Sequence, residues 1–158
     1  MNEAEMSRTI TDTFEGVDSV VDSGNSFFFY NPDPNVPPDH MFPFATLMTN
    51  DLNDPFSNLN RPSVFRLNIG VSKQTFRSLF GEPSPSHGGD DTSDSAETDS
   101  AFDFTALDEL MPHPVYGRMY WVCVLNPSEE TFDTKVRPLL VEAYTIAVSK
   151  YDKKAARR

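Results

Sequence analysis

The sequence contains a single cysteine, Cys123, among its 158 residues. One cysteine excludes an internal disulfide framework and a zinc site built from several cysteines. No run approaches 18 consecutive apolar residues, which argues against a membrane-spanning helix. The first 16 residues are polar and acidic and do not resemble a secretory signal, so we expect a cytoplasmic protein.

The sequence also lacks the local motifs by which many enzymes are recognised. It contains no Walker loop, no G-x-S-x-G, no H-E-x-x-H and no G-x-G-x-x-G. The acids Asp51 and Asp54 suggest a calcium loop only superficially, because the glycine and glutamate of an EF-hand are missing. They favour side-chain turns that shape a loop. We therefore predict neither a metal site nor a cofactor.

Positive charge is scarce and unevenly placed. The net charge is -11, and residues 82–101 hold acids but no lysine, arginine or large apolar side chain. Such a segment cannot bury enough surface to offset its ordering entropy, which predicts a disordered acidic loop within a single domain, 1–158. The basic C-terminal tail, 150–158, is typical of a solvated helix end. The acidic balance disfavours nucleic acid as a partner.

Hydrophobic spacing predicts the secondary structure of the remaining chain. Met6, Ile10 and Phe14 recur every four residues, after Asn2 as a helix cap. The pattern predicts helices over 2–15, 72–80, 104–111 and from 132 onward, a hairpin over 17–30, and strands over 44–49, 63–71 and 119–125. This order indicates the α+β class: a single antiparallel sheet of about five strands, with the N- and C-terminal helices packed on one face.

Aromatic and proline-containing stretches along the chain resemble an uncharacterised bacterial family, domain of unknown function 6194. The stretches are 27–30 (FFFY), 42–46 (FPFAT), 61–71 (RPSVFRLNIGV), 113–117 (HPVYG) and 121–128 (WVCVLNPS). The resemblance implies no established activity. The last third also resembles, more weakly, the YjbR-like family, which implies a frataxin-type sandwich of two helices on one antiparallel sheet. Fold analogy of this kind does not carry function.

Two features could form a ligand site. Arg66 and Asn68 alternate with Phe65, Leu67 and Ile69 on one strand, so they project from the sheet face opposite the helices. Such polar residues are also usual on an exposed sheet face. If Arg66 is structural it should pair with a carboxylate, and if it binds a ligand its donors should be unpaired in a cleft.

The second feature is the stiff loop Met111–Gly117, which holds His113 between two prolines and precedes the strand with Trp121. Rigid loops of this kind present ligand-binding side chains, but they also plug cores. If strands 63–71 and 119–125 are neighbours, one cleft could be lined by Arg66, Asn68, His113, Tyr116 and either Tyr120 or Trp121. An arginine there would favour an anionic ligand. Cys123, in mid-strand, is expected to be buried and inert.

Two functions remain open at this stage. The absence of a catalytic set favours a small binding or interaction domain that uses an open sheet face, with a protein or a small anionic ligand as partner. The alternative is an enzyme acting on a small anionic ligand, with His113 as general acid or base.

Overall fold

The computed structural model describes residues 2–32, 42–81 and 102–156. The predicted disordered loop 82–101 and the last two residues of the basic tail lie outside this part of the chain. The first helix, α1 (Glu3–Thr13), begins after Asn2, whose side chain accepts the Glu5 N–H at 2.8 Å. Its stripe of Met6, Ile10 and Phe14 is buried, so the predicted N-terminal helix is confirmed.

Within these described ranges, six antiparallel strands form one sheet in the order β1-β2-β3-β4-β6-β5. Their bounds are β1 Val17–Asp22, β2 Asn25–Tyr30, β3 Ala45–Met48, β4 Arg66–Gly70, β5 Leu110–Pro112 and β6 Trp121–Leu125. The α+β class is confirmed, with one strand more than expected. The strands predicted over 63–71 and 119–125 are neighbours, because β4 lies beside β6.

The additional strand, β5, lies where the sequence predicted a short helix over 104–111, and that prediction is wrong. Residues 104–105 form a turn, Asp108 adopts a left-handed φ of 59°, and Leu110–Pro112 pair with β6. The aromatic residues Phe102 and Phe104 pack against the sheet from an irregular segment. Their spacing therefore reflects packing against β-structure and not the periodicity of a helix.

Two further helices follow the central strands. Helix α2 (Lys73–Phe80) is capped by Ser72 and ends at Gly81, whose φ is 80°. The C-terminal helix, which we call α3 (129–156), has a first turn Glu129–Thr131, a π-helical turn Phe132–Val136 and an α-helical body Arg137–Ala156. Pro138 lies in the first turn of that body, where a proline is tolerated.

The two faces of the sheet are covered differently. On the helix-covered face, Met6, Ile10, Leu67, Val124 and Leu140 belong to a large apolar core between the sheet and the helices. The opposite face is covered by two irregular segments, 49–64 and 102–109, which pack Leu59, Val64, Phe102 and Phe104 against a smaller apolar cluster. We call it the loop-covered face.

The covering segments are tied together by Arg61. Its Nη2 donates to the carbonyl of Ser57 at 3.1 Å and to that of Thr105 at 3.0 Å. The expectation of an open sheet face around Arg66 is therefore wrong. The sequence contains long irregular segments whose few apolar side chains suffice to close that face.

Candidate functional site: a buried polar network beneath an exposed turn

Arg66 projects from β4 into the loop-covered face, where it is 1% exposed. Its Nη1 donates to Asp54 Oδ1 at 3.0 Å and to Ser57 Oγ at 2.9 Å, and Nη2 donates to Asp54 Oδ2 at 2.6 Å. Nε donates to Asn68 Oδ1 at 2.9 Å. Four of the five guanidinium N–H groups thus reach oxygen acceptors inside the protein. The prediction that a structural Arg66 pairs with a carboxylate is confirmed.

Asp54 supplies that carboxylate from the covering segment 49–64. Its Oδ1 also accepts the Phe56 N–H at 3.3 Å, which makes the side-chain turn that the sequence predicted. Burial opposes the charge of Asp54, but the hydrogen bonds and the positive charge of Arg66 outweigh it and lower the pKa below its ordinary value. Asp54 therefore stays ionised and both shapes the segment and neutralises the buried guanidinium.

Asn68 extends the network across the sheet. Its Nδ2 donates to Thr46 Oγ1, on the neighbouring strand β3, at 2.9 Å. Asn68 and Thr46 are both buried. Each polar group is satisfied by another, which is what buried polar side chains require to avoid a desolvation cost.

His113 closes the network on the side of the loop that follows β5. Its Nδ1 accepts the N–H groups of Val115 and Tyr116 at 3.0 and 2.9 Å. With Nδ1 an acceptor, the neutral ring carries its proton on Nε2. The 3.3 Å approach of Nε2 to Arg66 Nη2 then brings two donors together, so it is a close contact and not a hydrogen bond. Burial and the neighbouring guanidinium lower the pKa of His113 to about 3, against the opposing effect of Asp54. The imidazole is neutral at physiological pH.

These contacts decide what the network can do chemically. Arg66 presents no free N–H fork to an anion, and His113 is 4% exposed with both nitrogens directed at other groups of the protein. A general acid or base must reach the proton that it transfers. The geometry thus gives no support to the alternative in which His113 acts on a small anionic ligand.

Tyr116 and Trp121 are the two sequence-predicted site residues that reach the surface. Tyr116 is 49% exposed, and its ring centroid lies 5.0 Å from that of His113. The chain then makes one 3₁₀ turn, Gly117–Met119, and Tyr116 accepts the Trp121 N–H at 3.2 Å. Trp121 is half-buried beside Gly70, where a Cβ would come within 3.0 Å of the indole. Gly70 thus makes room for the ring.

Cys123 lies opposite Asn68 on β6 and is fully buried. Burial raises the pKa of its thiol to about 12, so it is not a nucleophile at neutral pH. The expectation that Cys123 is buried is confirmed, and its raised pKa agrees with an inert thiol.

Comparison with known proteins places the chain in a family. A family model described as a family of unknown function, DUF6194, matches residues 1–156. The chain belongs to the DUF6194 family. No curated protein and no solved structure matches it, so the resemblance to the YjbR-like family gains no support. Family membership assigns this DUF6194 chain no activity.

Other functional classes find no counterpart in the described part of this DUF6194 chain. Residues 2–32, 42–81 and 102–156 hold no group of three or more histidine, cysteine or acidic side chains that could bind a metal ion. Over the same ranges no helix has the length and apolarity that crossing a bilayer requires.

Sequence reasoning missed the partners that define the network, namely Ser57 and Thr46, and gave Asp54 only its turn-forming role. A signal for Asp54 was present, because an arginine facing a sheet surface requires a carboxylate once that surface is covered. What the sequence did not reveal is that segment 49–64 folds back over β4.

Proposed function

We propose that this DUF6194 domain is a non-catalytic interaction module. Its contact surface is the exposed turn 116–121, and the buried network serves as the rigid support of that turn. The observation that carries the proposal is the contrast between the buried network and the exposed turn. Below, Arg66 and His113 are committed to partners inside the protein. Above, Tyr116 and Met119 are 49% and 60% exposed on a single short turn.

Rigidity of the turn supports this interpretation. The carbonyl of His113 accepts the Gly117 N–H at 3.0 Å, and its Nδ1 holds two further N–H groups of the loop. A contact surface that is ordered before binding loses less conformational entropy when a partner docks. Large exposed side chains such as tyrosine, methionine and tryptophan are enriched in protein interfaces, which favours a protein partner.

The proposal also covers the organisation and location of the protein. The six strands of the described residues all join one sheet, which supports a single domain for the whole chain. The lone cysteine supports a cytoplasmic location, since secreted domains of modest size usually carry disulfides.

A photoreactive amino acid placed at Met119 tests the contact surface in cells. We expect it to crosslink a discrete protein partner, because the side chain projects from the centre of the turn. The matched control is the same amino acid at Thr145, an exposed position on α3. Crosslinks that are identical at both positions, or none at Met119, would contradict the proposal.

Trp121 allows a second measurement with the captured partner. It is the only tryptophan in the chain, so its fluorescence reports on this surface. Titration with the purified partner should change the emission of the wild-type protein, and Tyr116→Ala should weaken binding while the melting temperature stays within the range of surface substitutions. Equal affinity of the wild type and Tyr116→Ala would place the contact elsewhere.

A further inference from the structure

A second surface feature, independent of the turn 116–121, is a groove between α2, residues 107–110 and the start of α3. Its volume is about 860 Å³, which lies within the range of small-molecule sites. One part of the lining is apolar: Leu79 and Leu107 are 44% and 48% exposed and lie with Phe80, Leu110, Pro138 and Leu139. The other part is polar and consists of Asp108, Glu109, Thr134 and Lys135.

The helix that forms one wall is irregular at this point. The π-helical turn Phe132–Val136 ends where the Arg137 N–H bonds to the Phe132 carbonyl. The next residue, Pro138, has no N–H. The carbonyl one turn before it, on Asp133 for a π-helical count or Thr134 for an α-helical one, therefore receives no bond from that position. The helix is thus irregular where Thr134, Lys135 and Pro138 line the groove.

The charged side chains of the groove have unequal partners. Asp108 Oδ1 accepts the Ser128 N–H at 2.7 Å. This hydrogen bond is the main reason that the pKa of Asp108 is lowered, and the positive charge of Lys135 lowers it slightly further. The positive charge of Lys135 is thus partly balanced by the negative charge of Asp108. Glu109 makes no hydrogen bond or ion pair with any residue in the described part of the chain. The protein as a whole carries a net charge of -11.

We propose that this groove is a binding site for a cationic amphiphile, an organic amine with an apolar chain. The chain would lie against Leu79, Leu107 and Leu110, and the ammonium group would face Glu109. The acidic charge of the protein attracts such a ligand at long range. A carboxylate ligand would meet one cation, Lys135, already offset by Asp108.

Binding of octylamine to the full chain, followed by the methyl resonances of Leu79, Leu110 and Leu139, tests the proposal. Octanoate is the probe of opposite charge and equal chain length. We expect saturable shifts with octylamine and weaker binding of octanoate. Glu109→Gln should weaken octylamine binding about two- to fivefold, as for an exposed ion pair. Leu107→Ser should weaken it at least about threefold through lost apolar contact.

Matched controls are available on other surfaces. Leu52→Ser removes an exposed leucine, and Glu3→Gln an exposed acid, both outside the groove; neither should change the affinity. Octanoate binding as tight as octylamine, or no saturable binding of octylamine, would overturn the proposal.

Two other occupants have distinct signatures, and each would also overturn it. A concentration-dependent dimer in sedimentation that Leu107→Asp abolishes would assign the groove to a second copy of the chain. Octylamine binding seen only after residues 82–101 are replaced by a Gly-Ser linker would assign it to that segment.

Discussion

The two faces of the sheet are closed by different kinds of interaction. The helix-covered face is held by apolar burial, which is strong but non-directional, so residues of similar size can replace one another. The loop-covered face has a smaller apolar cluster and depends on the directional network of Arg66, Asp54 and His113. A network of this kind specifies one arrangement of the covering segments, because a charge left without its partner is costly. The candidate contact surface, the turn 116–121, begins at the loop that His113 of this network holds, while its Tyr120 packs against Phe76 of the helix-covered core.

The largest expected effect is on the loop-covered face. Arg66→Ala leaves the carboxylate of Asp54 buried without its cation and should lower the free energy of unfolding by about 3–5 kcal/mol in urea denaturation. Adding Asp54→Asn removes the unpaired charge, so the double variant should lose less than the sum of the single losses. Additive losses would show that the two residues do not act as a pair.

The matched change on the helix-covered face is Leu140→Ala. Leu140 is buried in the large core, and its truncation should cost roughly 2–5 kcal/mol through lost burial and a residual cavity. A loss below about 1 kcal/mol would mean that the site is not part of the core.

The rate at which Cys123 is alkylated distinguishes local opening of the loop-covered face from opening of the other face, because this thiol lies beneath the covering segments. Under native conditions, Arg66→Ala should accelerate labelling more than Leu140→Ala at equal global stability. This result is expected because local opening of segments 49–64 and 102–109 suffices to expose the thiol. Equal rates would mean that both faces open only by global unfolding.

A smaller effect concerns pH. His113 stays neutral in the fold with a pKa lowered to about 3 between Arg66 and Asp54, whereas the unfolded imidazole binds a proton near pH 6.5. The unfolded state therefore binds more protons between these values, and His113 makes stability fall as the pH is lowered through 6.5. His113→Asn retains an acceptor for the loop N–H groups and should flatten the stability profile between pH 6.5 and 4.5. An unchanged profile would contradict the assignment of a neutral ring.

The smallest effect is expected at the surface. Tyr116→Ala should change the free energy of unfolding by about 0.5 kcal/mol or less, because half of the side chain is in water in the folded state. A decrease in the free energy of unfolding above about 1.5 kcal/mol, measured by heat or urea, would mean that Tyr116 stabilises the buried network and that its exposed side chain is not evidence of a binding surface.

Local and periodic features were determined by the sequence alone. The Asn2 cap and the stripe Met6, Ile10 and Phe14 predicted α1, and the alternation around Leu67 predicted β4 and the direction in which Arg66 points. These features depend on residues close together in the chain, where the geometry of a helix or a strand fixes which side chains share a face. The same local logic failed over 104–111, where long-range packing set the spacing of the aromatic residues.

Only the tertiary structure decided that the face bearing Arg66 is closed. Asp54 lies 12 residues before Arg66, and His113 lies 47 residues after it. Irregular segments carry no periodicity from which such a juxtaposition could be read. The network forms because covering the sheet takes the guanidinium out of water, and a charge removed from water must find its partner wherever the fold places one.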